Sequence, residues 1–75
     1  MKLWILQPIE PWDPWYDRAF GFVVRAQTEQ EARVLASTEA GDEGGSSWQD
    51  EDKTTCYELT AEGFSCVVLR DFWAA

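Results

Sequence analysis

Six carboxylates fall within fourteen residues, at Glu39, Asp42, Glu43, Asp50, Glu51 and Asp52, and no base stands among them. Carboxylates grouped in this way can hold a divalent cation, form an acid–base pair, or present negative charge to a basic partner. The surrounding residues argue against the first two. Asp50-Glu51-Asp52 matches the D-x-D opening of a calcium loop. However, the sixth place is Thr55, where glycine is needed, and the twelfth is Ala61 instead of Glu. The chain has no histidine, which removes the usual general base at neutral pH and the commonest metal ligand. Its two cysteines, Cys56 and Cys66, cannot complete a four-ligand zinc site within one chain, and their spacing is not C-x-x-C. No Ser or Cys occupies a nucleophile-elbow pattern. The glycines of GDEGGSS (41–47) are not joined by a lysine, and Asp42 and Glu43 would repel a phosphate. The expectation is therefore a protein that is not an enzyme and uses neither metal nor cofactor.

Binding to a basic protein surface remains. The net charge is −8, and the segment 39–52 carries six of those charges, so nucleic acid and anionic lipid are disfavoured as direct partners. Trp48 stands just ahead of Asp50, and Trp12 and Trp15 lie in a proline-punctuated stretch near the start. Desolvated tryptophans are frequent interface anchors. The expected partner-binding set is Glu39, Asp42, Glu43, Trp48, Asp50, Glu51 and Asp52, with Trp12 and Trp15. A solvated acidic loop that only confers solubility is the competing reading.

The elements that must position these residues centre on GFVVRAQTEQEARVLASTEAG, residues 21–41. Phe22, Val24 and Ala26 alternate with Val23 and Arg25, the period of a pleated strand. Thr28 and Glu31 form a T-x-x-E capping box. Ala32, Leu35, Ala36 and Ala40 follow at helical spacing, and Gly41 stands where a left-handed residue would end the helix. The pattern predicts a helix from Thr28 to Ala40 whose Ala32, Leu35 and Ala36 are buried with Leu6, Val24 and Val68.

Upstream, Lys2–Gln7 reads as a first strand. Prolines at 8, 11 and 14 suggest an extended path, and Asp13-Pro14 suggests a single helical turn over 14–19. Downstream, 41–47 reads as a flexible connection, Thr54–Leu59 as a third strand and Ser65–Phe72 as a fourth. Thr55 and Glu58 also satisfy a capping box, which makes the third strand the more ambiguous of the two. A hairpin centred on Ala61 would set Cys56 opposite Cys66, whereas a loop with Gly63 left-handed would set Cys56 opposite Val68. Two reduced thiols in a cytoplasmic protein is the expected state. The fold class expected is α+β: a small antiparallel sheet of about four strands with one main helix packed on one face.

At 75 residues the chain makes one domain, 1–75. Apolar burial and the cost of ordering so short a chain nearly cancel. Five Trp, four Phe and two Tyr supply large apolar surfaces, so a homodimer fits this balance. The only continuous apolar run at the start, Leu3–Leu6, is far too short for a secretory core, and no run reaches the roughly 20 residues that span a bilayer. A cytoplasmic location without membrane contact is expected.

The segments PWDPWYDRAFGFVVRAQTEQEARVLASTEAGDEG and VVLRDF resemble a family of short, uncharacterised acidic proteins in bacteria and their phages. The resemblance covers about half of the chain and lies chiefly in W-D-P-W-Y-D-x-x-F-G-F-V-V-R-A and in A-G-D-E-G. It carries over no functional residue. In size, acidity, lack of catalytic motifs and expected fold, the chain is also similar in type to phage anti-CRISPR proteins, although no motif is shared. That likeness implies an inhibitor, encoded by a phage or mobile element and acting in the host bacterial cytoplasm. It would bind a nucleic-acid-handling complex such as a CRISPR effector, whose basic channels carboxylates could occupy in place of phosphates. The alternative is a small bacterial regulatory or structural interaction domain.

Overall fold

A computed structural model describes residues 1–9, 19–41 and 43–70. It is an α+β arrangement with the element order β1 (Lys2–Pro8), β2 (Phe22–Ala26), α1 (Glu29–Ser37), α2 (Gly45–Gln49) and β3 (Thr54–Leu59). The three strands form one antiparallel sheet in the order β2-β1-β3. The first strand in the chain is thus the central one. Its register is fixed by Ile5 opposite Val23 on one side and Tyr57 on the other, with Leu6 opposite Phe22 and Cys56.

Strand periodicity sends alternate side chains to opposite faces. Leu6, Ala26 and Cys56 point to one face and join Ala32 and Ala36 of α1 and Trp48 of α2 in the core, with Trp4, Phe22 and Val24 packed against them. Alanine at 32 and 36 lets α1 lie close to the sheet. The opposite face carries Leu3, Ile5, Val23, Tyr57 and Leu59. There Ile5 is buried, while Val23 and Tyr57 beside it are more than half exposed.

The cap at Thr28 forms as its sequence suggests, with one change. Thr28 has extended backbone, and its Oγ1 accepts from the Glu31 amide at 3.2 Å. The Glu31 carboxylate accepts from the amide of Gln27 at 2.8 Å, one residue before the expected Thr28. The helix ends three residues earlier than expected. Ser37 Oγ donates to the Val34 carbonyl (2.6 Å) and Thr38 Oγ1 to the Leu35 carbonyl (2.7 Å), capturing acceptors at the helix end. The Glu39 amide closes a tighter bond to Ala36. Gly41 is not left-handed; among the described residues only Gly44 and Gly63 have positive φ.

Three further expectations are corrected. Leu35 is 44% exposed, because the inward face of α1 is centred on Ala32, Ala36 and Arg33. Residues 45–49 form a short helix where a flexible connection was expected. The expected fourth strand does not join the sheet: residues 65–70 carry no strand, Val68 is exposed, and the chain bends at Ala61 and again over 63–65. Among the described residues the sheet therefore has three strands, not four, and two helices accompany it, not one. The expected turn at 14–19 lies outside the described residues except for Ala19, which has no regular structure. Among the described residues no helix is long and apolar enough to cross a membrane.

Candidate functional site

The acidic segment begins where α1 ends and closes at the start of β3, and the fold divides its carboxylates into two groups. Glu43 turns inward and is 6% exposed. Its Oε2 accepts from Trp48 Nε1 at 2.7 Å and from the Ala19 amide at 3.1 Å, and its Oε1 accepts from the Gly41 amide at 3.0 Å. One carboxylate thus ties the α1–α2 connection, the indole of α2 and the segment leading into β2. A buried acceptor with several donors is satisfied, and removing it would strand all of them.

Trp48 is fully buried and lies edge-on to Phe22, with ring centroids 4.7 Å apart and planes at 83°. It was expected as an exposed anchor, and it is a core residue instead. Glu43 leaves the partner-binding set for the same reason. Both changes follow from α2: this one short helix turns the indole onto the sheet and the indole N–H onto Glu43.

Arg33 also holds α2 at Trp48, through the backbone of that residue. It is 7% exposed, and its Nη1 donates to the Trp48 carbonyl (3.1 Å) and to Thr54 Oγ1 (2.7 Å), while Nη2 donates to the Thr54 carbonyl (3.2 Å). Its Nε bonds Glu29 one turn back at 3.0 Å. The planar guanidinium satisfies carbonyls from α2 and β3 at once, a task its rigid fork of donors suits. No sequence motif marks Arg33; the one signal was a cation within the apolar stripe of a helix. Nearby, burial pushes the Cys56 thiol above its ordinary value, Arg33 opposes that shift, and Glu29 adds to it. Both cysteines are free; Cys56 is buried and Cys66 is exposed.

The second group of carboxylates faces outward. Asp50 begins a tight turn: its Oδ1 accepts from the Asp52 amide (2.8 Å), and its carbonyl accepts from the amides of Lys53 (3.1 Å) and Thr54 (3.0 Å). This side-chain-to-backbone turn fixes the tip between α2 and β3. Glu51 and Asp52 lie on it exposed, with Asp50 half-buried. Gln49 Nε2 donates to Ser37 Oγ at 3.2 Å. Glu39 lies two residues past Ser37 in the chain, and Asp50 directly follows Gln49. Asp42, Trp12 and Trp15 lie outside the described residues. The structure thus retains Glu39, Asp50, Glu51 and Asp52 as surface acids. Among the described residues, no three His, Cys, Asp or Glu side chains are grouped to hold a metal.

Comparison with protein-family models, curated proteins and solved structures finds no match to this chain.

Proposed function

We propose that the protein is a binding protein, not an enzyme, and that it engages a basic protein surface through the turn Asp50-Glu51-Asp52 with Glu39 beside it. In the sharpest form of this reading it is an anti-CRISPR-like inhibitor: the carboxylates occupy a Lys- and Arg-rich channel of a nucleic-acid-handling complex and exclude nucleic acid from it. The observation that carries this reading is the geometry of the turn. Its backbone is pinned by Asp50, so Glu51 and Asp52 are presented on a fixed turn, which lowers the backbone ordering cost of binding. The competing reading, a small regulatory or structural domain with a merely solubilising turn, draws on a different observation. Glu43 and Asp50 serve the fold itself, so two of the six acids need no partner to explain them.

The test uses the variant Glu39→Lys/Glu51→Lys/Asp52→Lys, which spares Glu43 and the turn-forming Asp50. Purified CRISPR effector complexes are incubated with the wild-type chain and the variant, and displacement of labelled target DNA is followed at several salt concentrations. Wild type is expected to displace DNA at low salt and to lose affinity as salt rises. The variant should bind about tenfold or more weakly, with a shallower salt dependence. Equal binding by the two proteins would leave the solubility reading standing.

A further inference from the structure

Thr54 is the first residue of β3 and is only 1% exposed, although its side chain is polar. Its hydroxyl stands where α1, α2 and the acidic turn meet. Oγ1 accepts from Arg33 Nη1 at 2.7 Å. A threonine hydroxyl has one proton to give. The Asp50 carbonyl, at 3.1 Å, is the nearest acceptor for it, ahead of the carbonyls of Ser47 (3.3 Å) and Trp48 (3.5 Å). The Thr54 amide donates to the same Asp50 carbonyl at 3.0 Å. Thr54 therefore holds the base of the turn with both amide and hydroxyl. Arg33 in its turn holds Thr54 by both its hydroxyl and its carbonyl, the latter at 3.2 Å.

We propose that Thr54 is the positioning residue of the acidic turn, a role that rests on the reading of that turn as a contact surface. Its hydroxyl joins the turn to the core through Arg33, so that Glu51 and Asp52 keep one orientation toward a partner. The Asp50 carboxylate does a different job. It closes on the Asp52 amide, inside the turn, and so sets the turn's own shape. Orientation relative to the sheet comes from bonds that leave the turn. The Ile9 amide, just past β1, donates to the Lys53 carbonyl at 2.8 Å. The bond from Thr54 Oγ1 continues through the Arg33 guanidinium into α1.

The hydroxyl can be removed with little else disturbed. Valine matches the shape and β-branching of threonine, so the start of the strand keeps its packing while the hydroxyl is lost. Arg33 retains the carbonyls of Trp48 and Thr54 and the carboxylate of Glu29 as acceptors. The loss therefore falls on the turn more than on the guanidinium. Serine at 54 restores the hydroxyl without the methyl group. Thr54→Val leaves every charge of the turn in place, unlike the Glu39→Lys/Glu51→Lys/Asp52→Lys chain, so position and charge are tested apart.

Amide hydrogen exchange of the full chain reads the turn without any partner. In the wild type, the Lys53 and Thr54 amides should exchange within about tenfold of the most protected amides of β1. Thr54→Val should speed exchange at Lys53 at least about tenfold more than in β1, and Thr54→Ser should restore it. Displacement of labelled target DNA from purified CRISPR effector complexes is the second arm. There Thr54→Val should act about threefold or more weakly than wild type, with an unchanged salt slope because no charge is altered. Free exchange of these amides in the wild type, equal acceleration in the turn and in β1, or failure of serine to rescue would each overturn the positioning role. So would displacement by Thr54→Val equal to that by wild type. If the wild-type chain displaces no DNA, the functional reading fails, and exchange alone decides the role of Thr54. If Thr54→Val does not fold, the wild-type exchange rates at Lys53 and Thr54 decide it.

Discussion

At the scale of single residues, the buried charged side chains Glu43 and Arg33 carry more of the fold than any surface charge. Glu43 and Arg33 both grip α2 at Trp48, one through its indole and the other through its carbonyl. Losing either leaves buried donors or acceptors without partners, at roughly 1–3 kcal/mol for each group stranded. Glu43→Gln keeps the shape and one acceptor oxygen, but turns an NH₂ toward donors. It is expected to lower stability by about 1–3 kcal/mol, whereas Glu51→Gln on the exposed turn should stay within about 0.5 kcal/mol of wild type. Urea denaturation followed by circular dichroism measures both, and equal effects would mean that Glu43 is not the tie described. The sequence shows these two residues only as charges. That one acid of six would be internal depends on α2, and nothing in the local pattern announces α2.

At the scale of elements, legibility follows the strength of local signals. β1, β2 and β3 are legible from their periodicity and flanking breakers, and α1 from its capping box and paired alanines. α2 is hidden because Gly45-Ser46-Ser47 has low helix propensity, so the helix forms through tertiary ties and not through its own sequence. The facing of α1 is hidden for a related reason: Leu35 looks like the core residue, but the hydrogen bonds of Arg33 set the rotation. The strand character of 65–69 is visible in sequence, yet residues 65–70 carry no strand, because pairing depends on contacts that propensity does not encode. The packing of α2 yields a prediction of sign. Gly→Ala within a helix ordinarily stabilises by up to about 1 kcal/mol. At Gly45 an added Cβ would stand 2.8 Å from the Ser37 carbonyl oxygen, which belongs to backbone that cannot easily yield. Gly45→Ala should therefore destabilise by about 1–3 kcal/mol, since overpacking outweighs propensity. Ser46→Ala at the neighbouring exposed position should be neutral or slightly stabilising by chemical denaturation.

At the scale of the whole molecule, a net charge of −8 on 75 residues sets up self-repulsion that the compact state must bear. The ion pair of Lys2 with Glu58, at 3.6 Å, is exposed at both ends, whereas Arg33, paired with Glu29, is buried. Exposed pairs of this kind contribute little, so screening by salt should relieve repulsion more than it weakens attraction. The melting temperature is expected to rise as ionic strength goes from about 0.01 M to about 1 M, where the screening length falls from roughly 30 Å to 3 Å. The Glu39→Lys/Glu51→Lys/Asp52→Lys chain separates the fold from the function here. It removes three exposed acids, so its melting temperature at low salt should equal or exceed that of wild type, and its response to salt should be flatter. Chloride must be the anion in these melts, because sulfate also strengthens apolar burial. If the triple reversal lowers the melting temperature at low salt, the exposed acids are structural. Any loss of partner binding by that variant would then have to be assigned to the fold and not to the acidic turn.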